Sequence, residues 1–147
     1  LGMNCSKFEM QLLVKEYLQE QGKSAATASR TLASLKNFYA YSYKGQKVLC
    51  THGGISSLKN IETVSEYSFI MGSGDIEKTN IDKEFNENVQ GVVQIHGHRN
   101  PFNVEINEYP NSFNLEGAVE EGGELRTIEL IDKRFCPRAY KNEFVKK

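Results

Sequence analysis

The three histidines of this chain stand in two short stretches that read alike. His52 follows the apolar run Val48-Leu49-Cys50 and is followed at once by Gly53-Gly54. His96 and His98 follow Val92, Val93 and Ile95, with Gly97 between them. Imidazole is the commonest metal ligand at neutral pH and a ready proton carrier. Glycine, lacking a Cβ, lets backbone and ligand approach closely. In open α/β sheets ligands gather at the carboxyl ends of strands, where both stretches place their histidines. His52 and His98 are far apart in sequence, so only the fold can bring them together. The functional expectation is that they share one ion among Zn, Mn, Fe and Ni. The structural expectation is two hydrogen-bonded, partly buried rings. His96 alternates with His98, so both face one side if the strand persists that far. Its role is open among ligand, partner of a ligand and packing. Arg99 offers a planar permanent charge to phosphate oxygens, and Asn100 a further donor. With the backbone of Gly53 they would surround a developing negative charge. Asp75 is a candidate for orienting a site group. Glu77, Asp82 and Glu84 are expected in solvent.

Several elements must position these residues. A capping box at Ser6–Glu9 opens a helix striped by Phe8, Leu12 and Tyr17, which Gly22 ends. A second helix is expected from Thr27 to Asn37. Phe38 to Tyr43 alternates as a strand, Lys44-Gly45 turns it, and Gln46 to Cys50 returns and delivers His52. Short helices are expected over Val64 to Met71 and around Ile81 and Phe85. Gly72-Ser73-Gly74 lacks the preceding strand and the following Lys-Ser/Thr of a phosphate-binding loop, and reads as a hinge or rim. Val92 to His96 and Ser112 to Glu116 read as strands. A turn at Glu121–Glu124 leads to a final strand through Ile131. Residues 133–147 read as a basic tail or linker.

The chain has 147 residues, enough for one core. Its formal net charge of -1 argues against a general nucleic-acid or membrane surface. No run of apolar residues is long enough to span a bilayer. Three widely spaced cysteines, Cys5, Cys50 and Cys136, fit reduced thiols and a cytoplasmic setting.

Val-Leu-Cys-Thr-His52-Gly-Gly-Ile-Ser resembles the late His-Gly-Gly motif of calcineurin-like metallophosphoesterases, and Gly97-His98 their final Gly-His motif. Asn114-Leu-Glu-Gly117, with the Gly-Gly-Glu-Leu-Arg-Thr-Ile-Glu-Leu that follows, is similar to the closing strand pair of that domain. The form is most similar to the bacterial and phage phosphatase branch, over roughly residues 35–131. The resemblance implies an α/β (α+β) fold: the C-terminal half of an αββα sandwich, two helices and then a mixed or antiparallel sheet. Residues 1–132 would be that part of the domain. It implies a hydrolase with two divalent metals, Mn, Fe, Zn or Ni, one of them bound by His52 and His98. Arg99, Asn100 and Gly53 would face the substrate.

The family's Asp-x-His, Gly-Asp-x-x-Asp-Arg and Gly-Asn-His-Glu motifs do not occur, and Arg99-Asn100 stand where relatives carry a further histidine. The catalytic residues are therefore expected upstream of Leu1, and little turnover is expected from this chain alone. Expected partners are a phosphorylated substrate, the missing half or adjoining domains, and no membrane, with nucleic acid only as a substrate. Phosphoprotein, nucleic-acid ends, dinucleoside polyphosphates and cyclic diesters all suit such a centre. The competing readings are a catalytically inactive phosphate- or metal-binding module and a structural half-domain held by a partner.

Overall fold

The computed structural model describes Gly22 and residues 37–144. The chain divides into two compact units, Leu1–Lys36 and Asn37–Lys147. Both helices expected before Asn37 lie outside the described residues. The second unit is mixed α/β. Strands β1 (Phe38–Tyr43), β2 (Gln46–Thr51), β3 (Val92–His96) and β4 (Ser112–Asn114) form one sheet in that order. Strands β2, β3 and β4 run parallel, and β1 is antiparallel to β2. Helices α1 (Glu66–Met71) and α2 (Ile81–Asn88) lie in the connection between β2 and β3. Strands β5 (Glu124–Ile131) and β6 (Arg134–Lys141) pair antiparallel as a separate two-stranded sheet. Among the described residues no helix is long and apolar enough to cross a membrane.

Local chemistry explains these elements. The β1–β2 turn takes positive φ at both Lys44 and Gly45, the backbone that matches strand twist in a two-residue hairpin. Asp132 and Lys133 repeat it between β5 and β6. Ser65 caps α1 by accepting from the Ser68 N–H, and Asn80 caps α2 by accepting from the Lys83 N–H. Apolar Ile81, Phe85 and Val89 fall on one stripe of α2 and its exit, and all three are buried.

Two expectations change here. Residues 133–147 were expected as a tail, yet Arg134–Lys141 form β6. Its Phe135, Cys136 and Pro137 are half-buried, and Phe135 stacks on Phe113 of β4 with ring centres 5.2 Å apart. Scattered basic residues hid an apolar centre long enough for a strand. The closing strands also pair differently: β4 joins the main sheet, while β5 pairs with β6.

Strand alternation sorts the main sheet's side chains. Leu49, Gln94 and Ser112 stand side by side in register, with His96 beside Asn114 one step further on. All five therefore share the face toward α2. The core there is Leu49, Ile55, Phe69, Phe85 and Val89, flanked by Leu58, Ile61, Val64 and Val92. Val48, Val93 and Phe113 are buried on the opposite face. The β5–β6 hairpin meets that face through Phe135, and its turn residue Asp132 pairs with Lys44 of the first hairpin.

Phe85 is fully buried at the centre of the helix-facing core. Phe85→Ala is expected to cost about 3–5 kcal/mol, read as a lower urea midpoint. A loss under 1 kcal/mol would mean that α2 is not packed as described.

Candidate functional site

The parallel strands β2, β3 and β4 bring three strand exits to one edge. The first carries His52, the second Gly97-His98 and the third Glu116. The Gly97 N–H donates to the His52 carbonyl at 2.9 Å, and the Leu115 N–H donates to the His96 carbonyl at 2.7 Å. Adjacent exits are thus laced together by backbone. The imidazoles of His52 and His98 lie with ring centres 4.6 Å apart, tilted by 33°. Both residues are exposed, and among the described residues neither ring hydrogen-bonds another side chain.

His98 owes its aim to an unusual backbone. Its φ is 68°, and the Arg99 N–H donates to the Gly97 carbonyl at 2.9 Å across it. That is a classic-sense γ-turn, a rare and strained form for a residue with a side chain. The strand has ended at His96, so the alternation expected to align His96 with His98 does not persist. His96 points inward and is 3% exposed, while His98 points out.

Gly53 serves packing. Its N–H donates to the Phe69 carbonyl at 2.9 Å, and a Cβ there would stand 2.2 Å from the Gly72 nitrogen. The glycine lets the turn after His52 lie directly against the end of α1.

Arg99 departs from its expected role. It is 6% exposed, and its guanidinium donates to the carbonyls of Met71, Ser73, Gly74 and Thr79 at 3.0–3.4 Å. It ties down the loop from 71 to 79 and presents no free edge to a phosphate. Burial lowers its pKa, and the charges of Asp75, Asp82 and Glu84 oppose that effect. Asp75 is held in the same loop by the Glu77 N–H at 2.9 Å. Asn100 closes its own loop: its amide donates to the carbonyls of Val104 and Glu116, and its oxygen accepts from the Val104 N–H. Asn100 also lines a cleft of about 370 Å³ shared with Glu116 and Arg126.

The residues that the sequence reading missed lie just below. Asp82, expected in solvent, is 3% exposed. Its carboxylate accepts from His96 Nε2 at 2.9 Å, Ser112 Oγ at 2.7 Å and Asn114 Nδ2 at 3.2 Å. An ionised carboxylate only accepts, so His96 donates to Asp82 through Nε2. Asp82 stands three residues before Phe85, on the apolar stripe of α2, and that spacing was the available signal. Gln94 is fully buried. It accepts from the Ile55 N–H at 2.7 Å and donates to Ser112 at 3.1 Å.

Burial lowers the pKa of His52, the charge of His98 lowers it further, and Glu116 partly offsets both. A neutral His52 ring at neutral pH keeps a lone pair for an ion. A metal–nitrogen bond of about 2.1 Å allows two imidazoles at roughly a right angle to have centres ~4–5 Å apart. The observed separation of 4.6 Å falls in that range. Among the described residues no group of three or more His, Cys, Asp or Glu side chains is placed to hold a metal ion.

Two titrations test this geometry. His52 is expected to titrate below the ordinary imidazole value of about 6.5, and lower still in Glu116→Gln, by side-chain NMR. An unchanged value in the variant would remove Glu116 from its surroundings. Burial alone would raise the pKa of Asp82, but the hydrogen bond and charge of His96, with the hydrogen bonds of Ser112 and Asn114, hold it below the usual value. Its contribution to stability is then present above the unfolded pKa of about 3.9 and lost as pH falls through the lower folded value. Urea stability should drop on acidification below about pH 4, and drop less steeply in Asp82→Asn. Equal slopes would count against the buried carboxylate.

No protein-family model, curated protein or solved structure matches the chain, so the reading of the site rests on its own residues.

Proposed function

We propose that the chain contributes His52 and His98 to one metal of a metal-dependent phosphoesterase, a hydrolase of the calcineurin-like type. The observation that carries the reading is the pair of imidazoles 4.6 Å apart at the carboxyl ends of neighbouring parallel strands. A divalent ion held there supplies Lewis acidity toward a phosphoryl oxygen. The chain's own part is to present two imidazole rings from strand exits joined by the Gly97 N–H to His52 carbonyl bond. Glu116, whose charge acts on His52, also lines the cleft shared with Asn100 and Arg126. A two-metal centre would need further ligands, and a group to activate water, beyond this pair. Mn, Fe, Zn and Ni all suit imidazole donors.

One observation favours a second reading, a module that binds metal and phosphate without turnover. The guanidinium of Arg99, the cation nearest in sequence to His98, is committed to four carbonyls. The arginine that lines the neighbouring cleft, Arg126, donates to the Val104 carbonyl at 2.9 Å and lies near the carboxylates of Glu105 and Glu124.

Calorimetry on the 147-residue chain tests the shared part of both readings. Ni²⁺ should bind one to one, and His52→Ala or His98→Ala should each weaken it at least about tenfold. Either variant binding as the parent does would overturn the pair as a metal site. Hydrolysis of p-nitrophenyl phosphate by the chain supplied with the missing Asp-x-His, Gly-Asp-x-x-Asp-Arg and Gly-Asn-His-Glu motifs then separates the two. Turnover that requires Mn²⁺ and is lost in His52→Ala is the enzyme outcome. Phosphate binding that requires the metal, with no hydrolysis, is the module.

A further inference from the structure

The buried ring of His96 touches both histidine loops at once. On one side Nε2 is bonded to Asp82 at 2.9 Å. On the other the ring lies under the turn that follows His52: a Cβ on Gly54 would stand 2.9 Å from His96 Cγ and Nδ1. Gly54 has φ 79°, so both conformation and space require glycine at that point. The main chain of His96 continues through Gly97 into the strained turn at His98. Gly97 is itself bonded to the His52 carbonyl.

Asp82 extends this hold to the third exit. It binds Asn114, whose amide also donates to the Arg99 carbonyl at 3.1 Å and whose oxygen accepts from the Glu116 N–H at 3.0 Å. One carboxylate on α2 therefore fixes the main chain on both sides of His98 and the ring that sets the His52 turn.

We propose that Asp82, acting through His96, is the positioning residue that sets the spacing of the His52 and His98 imidazoles. It touches neither ring and no substrate; its effect is on where the two loops stand. Positioned ligands need such support because a site loosened by an ångström loses most of its affinity. The inference deepens the metal reading but does not need it, since the ring spacing exists without an ion.

The test uses the 147-residue chain labelled at histidine, the variants Asp82→Asn and His96→Gln, and a control, Phe85→Leu, that weakens the same helix packing without touching the polar cluster. Two quantities are read: the cross-ring NOE between His52 and His98, and Ni²⁺ affinity. Asp82→Asn should lose the NOE and bind Ni²⁺ about tenfold more weakly, and His96→Gln should do the same. Phe85→Leu, at equal or greater loss of Tm, should keep the NOE and stay within about twofold in affinity. His96→Gln carries the test if Asp82→Asn does not fold. Variants that keep both NOE and affinity would overturn the proposal, as would a control that loses them equally. A parent chain that binds no Ni²⁺, with the NOE still lost in Asp82→Asn, would remove the metal reading and leave the positioning role standing.

Discussion

The whole upper edge of the sheet depends on a single buried anion. Asp82 sits on the apolar stripe of α2, beside Phe85, where an unpaired carboxylate would be prohibitively costly. It is tolerable only because three donors meet it, from His96, Ser112 and Asn114. Removing any one leaves a desolvated charge short of a partner, which is far worse than losing an ordinary hydrogen bond. Helix α2 and strands β3 and β4 therefore hold one relative placement. Apolar packing of Phe85 and Val89 would bring the helix to the sheet; the carboxylate fixes its register.

That register has consequences for the loops above. Arg99 can fill its cage of four carbonyls only if its backbone is anchored, and Asn114 anchors it. The Arg99 cage in turn holds the loop after α1, against which Gly53 is packed. The strained φ of His98 is kept by bonds on both sides of it. Strain of this kind, of order 1–3 kcal/mol, persists only where the surroundings over-determine it. The turn at His98 is such a place, and its effect is to swing one imidazole out of the strand and toward its neighbour.

Much of this was legible in the sequence. The hairpin at Lys44-Gly45, the strands through Val48 and Val93, and the short helix at Ile81 and Phe85 carry clear local signals. So does the delivery of His52 from a strand end. What was not legible depended on long-range pairing. Asp82 looked like one of several solvated acids because its neighbours Asp75, Glu77 and Glu84 are charged too; only the i, i+3 relation to Phe85 set it apart. Arg99 looked like a phosphate ligand because carbonyls that could satisfy it, 20 to 28 positions away, leave no mark in sequence. Strand β6 was hidden because its apolar centre, Phe135 to Pro137, sits between arginines. The reversal of His98 relative to His96 was hidden because alternation is a property of strands and ceases where the ladder does.

The division of labour among the three histidines follows from where the ladder ends. His96 is the last residue of β3 and keeps strand geometry, so parity sends it to the helix side with Gln94. There it must be satisfied, and Asp82 satisfies it. His98 lies two positions later, and strand parity would have buried it beside the same helix. The positive φ breaks parity and releases the ring to the outside. His52, one residue past the end of β2, is held by its carbonyl to Gly97 and leaves its ring nitrogens unclaimed by side chains among the described residues. The buried imidazole does structural work so that the exposed pair can keep their nitrogens open on a fixed backbone. An imidazole pair on a fixed backbone, its nitrogens unclaimed by side chains among the described residues, is the arrangement that the proposed metal role requires.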